Sequence, residues 1–291
     1  MRVFRDMLAL RRRAGMNLCV GLDPDPAKMP ASAWSPDAIE ESLVKFCIAI
    51  VMSVASVAAC FKLNSAFFER FGDVGWRAMI RVIVYIRDNF PGVPIIWDAK
   101  RGDIGNTNSG YASAAFAWLM ADAITVNPYF GGKSLSPFLD NASKMVFVLC
   151  RTTGAGSEEF QDLLVGDGDE RAPLYLHIAR AFTQRWNEKR NIGLVVGATS
   201  PAELKLVRDE APESTILIPG VGTQGGSLIE SVRAALDPSG SPNFVVNVSR
   251  EISYASSGDD YTVAAGRKAL EYHTNIRQAI ETSRTPDPCA A

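Results

Sequence analysis

Eight short apolar runs, each of strand length, recur along the chain and are separated by segments of helical character. The runs are LCVGLD (18–23), VAACFKL (57–63), VPIIWDA (93–99), AITVNP (123–128), MVFVLC (145–150), IGLVVGA (192–198), TILIPG (215–220) and NFVVNVS (243–249). Most are continuously apolar rather than alternating, which is typical of parallel strands covered on both faces. Eight strand–helix alternations predict an α/β fold, a (β/α)8 TIM barrel in a single domain. An open doubly wound sheet is the alternative.

The composition does not divide the chain into separate domains. No Ser/Gly-rich linker interrupts it, so we expect one barrel over residues 1–280. Residues 281–291 form a polar tail, which is either a disordered end or the start of a linker to something absent here. The uncharged stretch FCIAIVMSVASVAACF (46–61) is shorter than the roughly 18 residues of a membrane span and contains two serines. It predicts the end of a helix that begins near Pro36, followed by a short strand.

Charge and cysteine usage limit the function classes. The net charge is only −2 and the charged residues are scattered, which argues against a nucleic-acid-binding surface and favours a small neutral or anionic ligand. The five cysteines show no C-x-x-C spacing, as expected of reduced thiols, and the amino-terminal segment does not read as a signal peptide. We therefore expect a cytoplasmic protein. His177 and His273 both fall in helical patterns, so neither a His-based triad nor a zinc site is predicted.

Polar residues follow seven of the eight apolar runs, at the points where the predicted strands end. They are Asp23, Lys62, Asn64, Asp98, Lys100, Asn127, residues 151–153, Gly220, Ser249 and Arg250. In a TIM barrel the carboxyl ends of all strands meet at one face, which carries the chemistry. We therefore expect a site at this face.

The segment WDAKRGD places two acids and a lysine directly after the third run. Side chains two apart in a strand share a face, so Asp98 and Lys100 should both point into the barrel mouth while Ala99 turns away. Asp103 lies in the following loop. Carboxylates that flank an ammonium favour its charged form, which makes Lys100 a proton donor rather than a base or a Schiff-base nucleophile. A salt-bridge network that only ties down the loop is the alternative.

The segment PGVGTQGG (219–226) matches G-x-G-x-x-G through Gly220, Gly222 and Gly225. A dinucleotide site is not favoured, because the match follows the seventh run and no acidic residue for a ribose lies about 20 residues beyond it. The loops after strands seven and eight of a barrel often bind phosphate instead, and Arg250 is placed to make a forked contact with phosphate oxygens. A tight turn without a ligand is the alternative.

Taken together, the motifs resemble the orotidine 5′-phosphate decarboxylase family, in its longer branch, from about residue 17 to 270. DAKRGDIGNT is the strongest of them, and GLDPDP, FKLNSAFFE, VNPYFG, PGVGTQGG and VNVSREI support it. The D-x-K-x-x-D core alone also fits related barrel enzymes that act on sugar phosphates. The continuation DIGNT, together with GLDPDP, narrows the match to the decarboxylase.

The resemblance implies a reaction and roles for four charged residues. The reaction is decarboxylation of orotidine monophosphate to uridine monophosphate, the last step of de novo pyrimidine synthesis, without metal or cofactor. Asp23 and Lys62 would hold the ribose and order the charge array together with Asp98. Lys100 would protonate C6 of the pyrimidine after carbon dioxide leaves.

The resemblance also implies a homodimer with shared sites. Asp103 and Thr107 would reach into the site of the neighbouring subunit, and Gln224 and Arg250 would bind the phosphate beside Gly220 and Gly222. Two other classes remain open from the residues alone. One is a magnesium-dependent sugar-phosphate decarboxylase or synthase of the same barrel group, and the other is a nucleotide-binding barrel without catalytic activity.

Two segments of the chain differ from what the family pattern leads us to expect. In RTTGAGS, Thr153 stands where a serine that reads the pyrimidine edge is expected, and Gly154 and Ala155 replace the usual Asn-Pro. Asn127 occupies a position that is histidine in other branches. Thr153 retains a hydroxyl, so we expect both Thr153 and Asn127 to line the site.

Overall fold

The eight apolar runs form one closed barrel of parallel strands in the computed structural model, which describes residues 2–222 and 226–284. The strands are β1 (Leu18–Leu22), β2 (Ala58–Asn64), β3 (Ile95–Arg101), β4 (Ala123–Val126), β5 (Met145–Arg151), β6 (Ile192–Val196), β7 (Ile216–Ile218) and β8 (Phe244–Val248). Each strand pairs in parallel with the next, and β8 closes on β1 with Val246 opposite Leu18. The (β/α)8 barrel is confirmed, because an open doubly wound sheet would leave two edges unpaired.

One helix, α1, precedes the first strand, and the others follow the strands around the barrel. The helices are α1 (Phe4–Arg13), α2 (Ile39–Val54), α3 (Ala66–Glu69), α4 (Gly72–Asn89), α5 (Gly105–Ser113), α6 (Ser136–Leu139), α7 (Glu158–Gln161), α8 (Leu174–Arg180), α9 (Pro201–Glu210), α10 (Leu228–Ala235), α11 (Arg250–Ser253) and α12 (Tyr261–Arg284). Single π-helical turns extend α5 and α8. A two-residue antiparallel pairing, Leu164–Val165 with Ala172–Pro173, lies between β5 and α8.

The uncharged stretch 46–61 divides into two buried elements, as the sequence predicts. Helix α2 ends at Val54, and β2 begins at Ala58 inside the barrel wall. Within the described ranges, no helix is both long enough and apolar enough to cross a membrane.

The last helix runs beyond the predicted end of the barrel domain. Helix α12 continues through residue 280 to Arg284, so residues 281–284 are helical. The remainder of the predicted tail, 285–291, lies outside the described residues.

The core has two layers, one between strands and helices and one inside the barrel. The inner layer is lined by alternate strand residues such as Ile96, Phe147, Leu217 and Val245. The cysteines of the described chain are buried free thiols, as the sequence predicts: Cys19, Cys47, Cys60 and Cys150. Cys289 lies outside the described residues.

Helix α1 fills the amino end of the barrel. Phe4 and Leu8 are buried in the inner layer, and the Phe4 ring packs edge to face on Phe147 with 5.7 Å between ring centroids. The amide of Phe4 also donates to the Ser143 carbonyl, 3.0 Å away, just before β5. The barrel interior at this end is therefore filled with side chains.

Removing this aromatic plug should cost stability. We expect Phe4→Ala to lower the free energy of unfolding by about 3–5 kcal/mol, because it leaves a cavity among buried side chains. Leu10→Ala in the same helix is the matched control, since Leu10 is 62% exposed. Urea unfolding followed by circular dichroism measures both variants. An equal loss in the two would contradict a packing role for Phe4.

Candidate active site

A cavity of about 500 Å3 opens at the carboxyl ends of the strands. Its size suits a small organic ligand. Seven of the residues predicted for the site line it: Asp23, Lys62, Asp98, Lys100, Thr153, Gly220 and Arg250. The parallel barrel brings them together from positions more than 200 residues apart in the chain.

The centre of the cavity holds an alternating array of charges. One oxygen of the Asp98 carboxylate, Oδ2, accepts a hydrogen bond from Lys62 Nζ at 2.9 Å, and the other, Oδ1, accepts one from Lys100 Nζ at 2.7 Å. Asp98 and Lys62 are buried, whereas the Lys100 side chain is 48% exposed. Lys100 is thus held at its tip by Asp98 and remains open to the cavity.

The backbone of β3 is irregular where it presents Lys100. The pairing with β4 shifts register between Trp97 and Arg101, and Lys100 has a positive φ of 49°. A left-handed backbone at a residue other than glycine costs about 1 kcal/mol or more, and such strain concentrates at functional sites. Ala99 turns into the outer core layer, as the spacing predicts.

The array fixes the protonation of its buried members. Burial by itself would raise the pKa of Asp98, but the charges of Lys62 and Lys100 outweigh it and hold the pKa of that carboxyl below its usual range. Burial would likewise lower the pKa of Lys62, but the Asp98 and Asp23 carboxylates outweigh it and hold that pKa above its usual range. At neutral pH, Asp98 is therefore an anion and Lys62 a cation.

Thr125 on β4 completes the array, and the sequence interpretation missed it. Its hydroxyl donates to Asp98 Oδ1 at 2.8 Å and accepts the Lys100 backbone N–H at 3.0 Å. It therefore fixes both the carboxylate and the irregular backbone. A threonine inside the apolar run AITVNP looks like an ordinary β-branched strand residue, so its spacing alone gave no signal.

Asp23, after β1, offers an unused hydrogen-bond acceptor. Its Oδ1 is buried and has no hydrogen-bond partner within the described chain, while its backbone carbonyl accepts from the Tyr254 hydroxyl at 2.7 Å. A buried acceptor without a donor costs about 1–3 kcal/mol. Since Asp23 lines the cavity, a ligand hydroxyl is a suitable donor for it.

The far end of the cavity combines a glycine turn with a cation. Gly220 and Gly222 have φ of 94° and 81°, which favours glycine at both positions, and Gly222 packs closely on the Glu251 carboxylate. Arg250, the first residue of α11, is exposed, and its side chain forms no hydrogen bond or ion pair within the described ranges. Gln224 and Gly225 lie outside the described residues. This turn and Arg250 together suit an anionic group.

Thr153 lies on a loop that ion pairs and amide contacts hold in place. Arg151 donates to the Asp162 carboxylate at 3.2 Å, and the Gln161 side chain accepts the Thr152 amide at 2.8 Å. The methyl group of Thr153 packs on Gly197, where a Cβ would clash. The loop is thus anchored even though Gly154 and Ala155 differ from the family pattern.

Four of the predicted site residues do not line this cavity. Gly222 lies beside the cavity in the glycine turn. Asp103 lies in the loop between β3 and α5, and Thr107 lies in the first turn of α5. Within the single chain Asn127 also lies outside this cavity, and its part in the site stays a prediction. Asn127 is exposed, and its side chain turns back to accept the Tyr129 amide at 3.0 Å, which caps a helical turn instead of facing the cavity.

Comparison with known proteins identifies the family. The model of the orotidine 5′-phosphate decarboxylase / HUMPS family matches residues 16–265. The chain belongs to this family. An orotidine 5′-phosphate decarboxylase from Roseiflexus sp. (strain RS-1) is 45% identical over 278 residues, covering 95% of this chain and 98% of the relative.

Solved structures agree with that assignment to the decarboxylase / HUMPS family. OMP decarboxylase from Leishmania donovani is 40% identical with a TM-score of 0.79, over 95% of this chain and 99% of that one. UMP synthase from the same organism is 41% identical with a TM-score of 0.81, over 95% of this chain. The match spans 57% of the UMP synthase chain, so it corresponds to part of that longer protein.

The charge array should make stability depend on pH through Asp98. We expect Asp98→Asn to lower the free energy of unfolding at pH 7 by about 3 kcal/mol, because Lys62 stays buried without its partner. A carboxyl with a depressed folded pKa contributes fully above its unfolded pKa of about 4, and that contribution is lost as the pH falls. The gap between wild type and variant should therefore narrow below about pH 4.

Urea unfolding at pH 7 and pH 3 measures this gap. Asp73→Asn is the control, because Asp73 forms only an exposed ion pair with Arg77, and we expect little change there. A gap for Asp98→Asn that is the same at both pH values would rule out the proposed charge coupling.

Proposed function

We propose that this protein is a carbon–carbon lyase that decarboxylates orotidine 5′-phosphate to uridine 5′-phosphate. The observation that carries the proposal is the Lys62–Asp98–Lys100 array, which holds an ammonium tip open to the cavity. The curated relatives with 41–45% identity that carry the decarboxylase name support it. Decarboxylation leaves an electron pair on a ring carbon with no adjacent group to accept it, so a fixed cation beside that carbon is what the chemistry requires.

The cavity accommodates the parts of the substrate in order. Arg250 and the Gly220 turn suit the phosphate, and the buried Asp23 Oδ1 suits a ribose hydroxyl. Thr153, whose hydroxyl has no partner within the described residues, is placed for the pyrimidine edge. Binding energy from the phosphate can then be used to hold the reacting carbon against Lys100.

The reaction itself uses Lys100 and Asp98. The bond between C6 and the carboxylate breaks, carbon dioxide leaves, and the electron pair stays on C6. The Lys100 ammonium stabilises this charge and transfers its proton to C6, and a proton from solvent restores the lysine. Asp98 holds the Lys100 ammonium in place, while Thr125 fixes Asp98.

The same residues disfavour the two other classes. Both oxygens of Asp98 are occupied, Oδ2 by Lys62 and Oδ1 by Lys100 and Thr125, so this carboxylate is poorly placed to bind a magnesium ion. A barrel without catalytic activity would have no need of two lysines arranged around one buried carboxylate at the base of a ligand cavity.

A homodimer with shared sites is part of the proposal. Asp103 and Thr107 lie outside the cavity of their own chain and next to exposed apolar side chains, including Ile104 and Tyr129, which is 90% exposed. The Asn108 side chain connects the loop between β3 and α5 with the loop between β4 and α6. It donates to the carbonyls of Asp103 at 2.6 Å and Ser134 at 2.7 Å. A second copy that covers this face would bury the apolar groups and bring the partner's Asp103 to the cavity.

The first test is turnover of orotidine monophosphate in buffer with EDTA, followed by ultraviolet absorbance. We expect wild-type turnover to persist with EDTA, whereas a magnesium-dependent enzyme would stop. Lys100→Ala should abolish turnover but change the affinity for uridine monophosphate by less than about tenfold, because Lys100 acts on the reacting carbon. Loss of nucleotide binding in a folded Lys100→Ala protein would instead make Lys100 a binding residue.

Shared sites can be tested by mixing two inactive variants. Lys100→Ala and Asp103→Ala should each be nearly inactive alone. After joint refolding of equal amounts, about half of the dimers contain one subunit of each variant. One of the two sites in such a mixed dimer keeps both Lys100 and the partner's Asp103. Activity should therefore return to about a quarter of the wild-type value. Absence of recovery, with mixed dimers shown by mass spectrometry, would place Asp103 in its own chain's site.

A further inference from the structure

A second cavity, of about 470 Å3, lies at the amino end of the barrel. Gly15 and Asn17, which precede β1, and Ser241 and Pro242, which precede β8, form its floor. It is therefore at the opposite end from the candidate active site. Four arginines surround it, from both terminal helices: Arg12, Arg13, Arg277 and Arg284. We call it the arginine cavity.

The charges around the arginine cavity are unbalanced. Glu281 is the acid among its lining residues, and it accepts a hydrogen bond from Arg277 at 3.2 Å. Arg12 contacts the Asn243 side-chain oxygen, and Arg284 Nε donates to the Gly240 carbonyl at 2.8 Å. Among the residues that the structure describes, four guanidinium groups thus face one carboxylate, and two of the four are held by neutral oxygens.

Burial makes this excess of positive charge more significant. Arg12 is partly buried, and burial lowers its pKa. The neighbouring Arg208 is fully buried, and within the described chain it donates only to backbone carbonyls, those of Ala235, Ala211, Pro212, Ser214 and Asn243. Burial lowers the pKa of Arg208 to about 10. The charge of Arg12 also lowers this pKa, and the Asp237 carboxylate, which raises it, does not outweigh burial. Cations that are partly desolvated without a carboxylate partner gain most from a bound anion.

We propose that the arginine cavity binds a small phosphate-bearing anion, separate from the active site. Arginine forks bind phosphate oxygens in pairs, and here they project from two helices that face each other across one concave surface. The cavity is nearly as large as the candidate active site, so it has room for a nucleotide as well as for pyrophosphate. Nothing in the decarboxylation requires these residues, so the proposal stands independently of the proposed function.

The test is calorimetric titration of the full chain with pyrophosphate, and in a second arm with uridine diphosphate. Both titrations use an Arg250→Ala background, which removes the proposed phosphate contact of the active site and lies outside the arginine cavity. We expect one anion per chain. Arg13→Gln and Arg277→Gln should each weaken binding by about tenfold or more, because each removes a charged hydrogen-bond donor. Arg267→Gln is the matched control, since Arg267 is exposed on α12 but lies outside the cavity.

Each outcome decides the proposal. Binding that falls in Arg13→Gln and Arg277→Gln but not in Arg267→Gln supports it, and the tighter of the two ligands shows whether a nucleoside is recognised. No binding to either ligand would overturn it. If Arg13→Gln and Arg277→Gln bound the anion as tightly as the Arg267→Gln control, the proposal would also be overturned, because the anion would then bind elsewhere. Both tested arginines carry exposed side chains, and equal urea midpoints would show that the variants are folded.

Discussion

A buried carboxylate held between two lysines is the interaction on which the rest of this site depends. Asp98 can stay ionised away from water only because Lys62 and Lys100 both contact it, and Lys62 can be buried only because Asp98 is there. The three residues come from two adjacent strands, β2 and β3, so their spacing is set by strand pairing and not by a flexible loop. Such an array is ready before a substrate arrives, which is the requirement for electrostatic catalysis.

The interior of the barrel is packed for stability at its amino end and holds the candidate active site at its carboxyl end. At the amino end, α1 inserts Phe4 and Leu8 into the inner core layer, and a well-packed interior results. At the carboxyl end the chain tolerates features that cost free energy, including a left-handed Lys100, an unpartnered Asp23 oxygen and like charges in proximity. The closed sheet supports these costs because it fixes each strand on both edges.

Much of this arrangement could be predicted from sequence, because it follows from local patterns. The eight apolar runs identified all eight strands, and the two-residue spacing of Asp98 and Lys100 placed both on one side. The features that the sequence did not reveal depend on neighbours in space. Thr125 looked like a core residue, Asn127 turned to cap its own loop, and the arginine cavity joins residues from both ends of the chain. Neither apolar periodicity nor motif spacing carries such information.

The position of α1 has a consequence for how the chain reaches this fold. The helix precedes the whole barrel in sequence, yet Phe4 packs on Phe147 and Arg12 contacts Asn243, just before the last strand. During synthesis, which runs at about 5–20 residues per second, these partners emerge many seconds after α1. Helix α1 must therefore wait for nearly the entire barrel before it can dock, and its apolar face lacks its native partners throughout that interval.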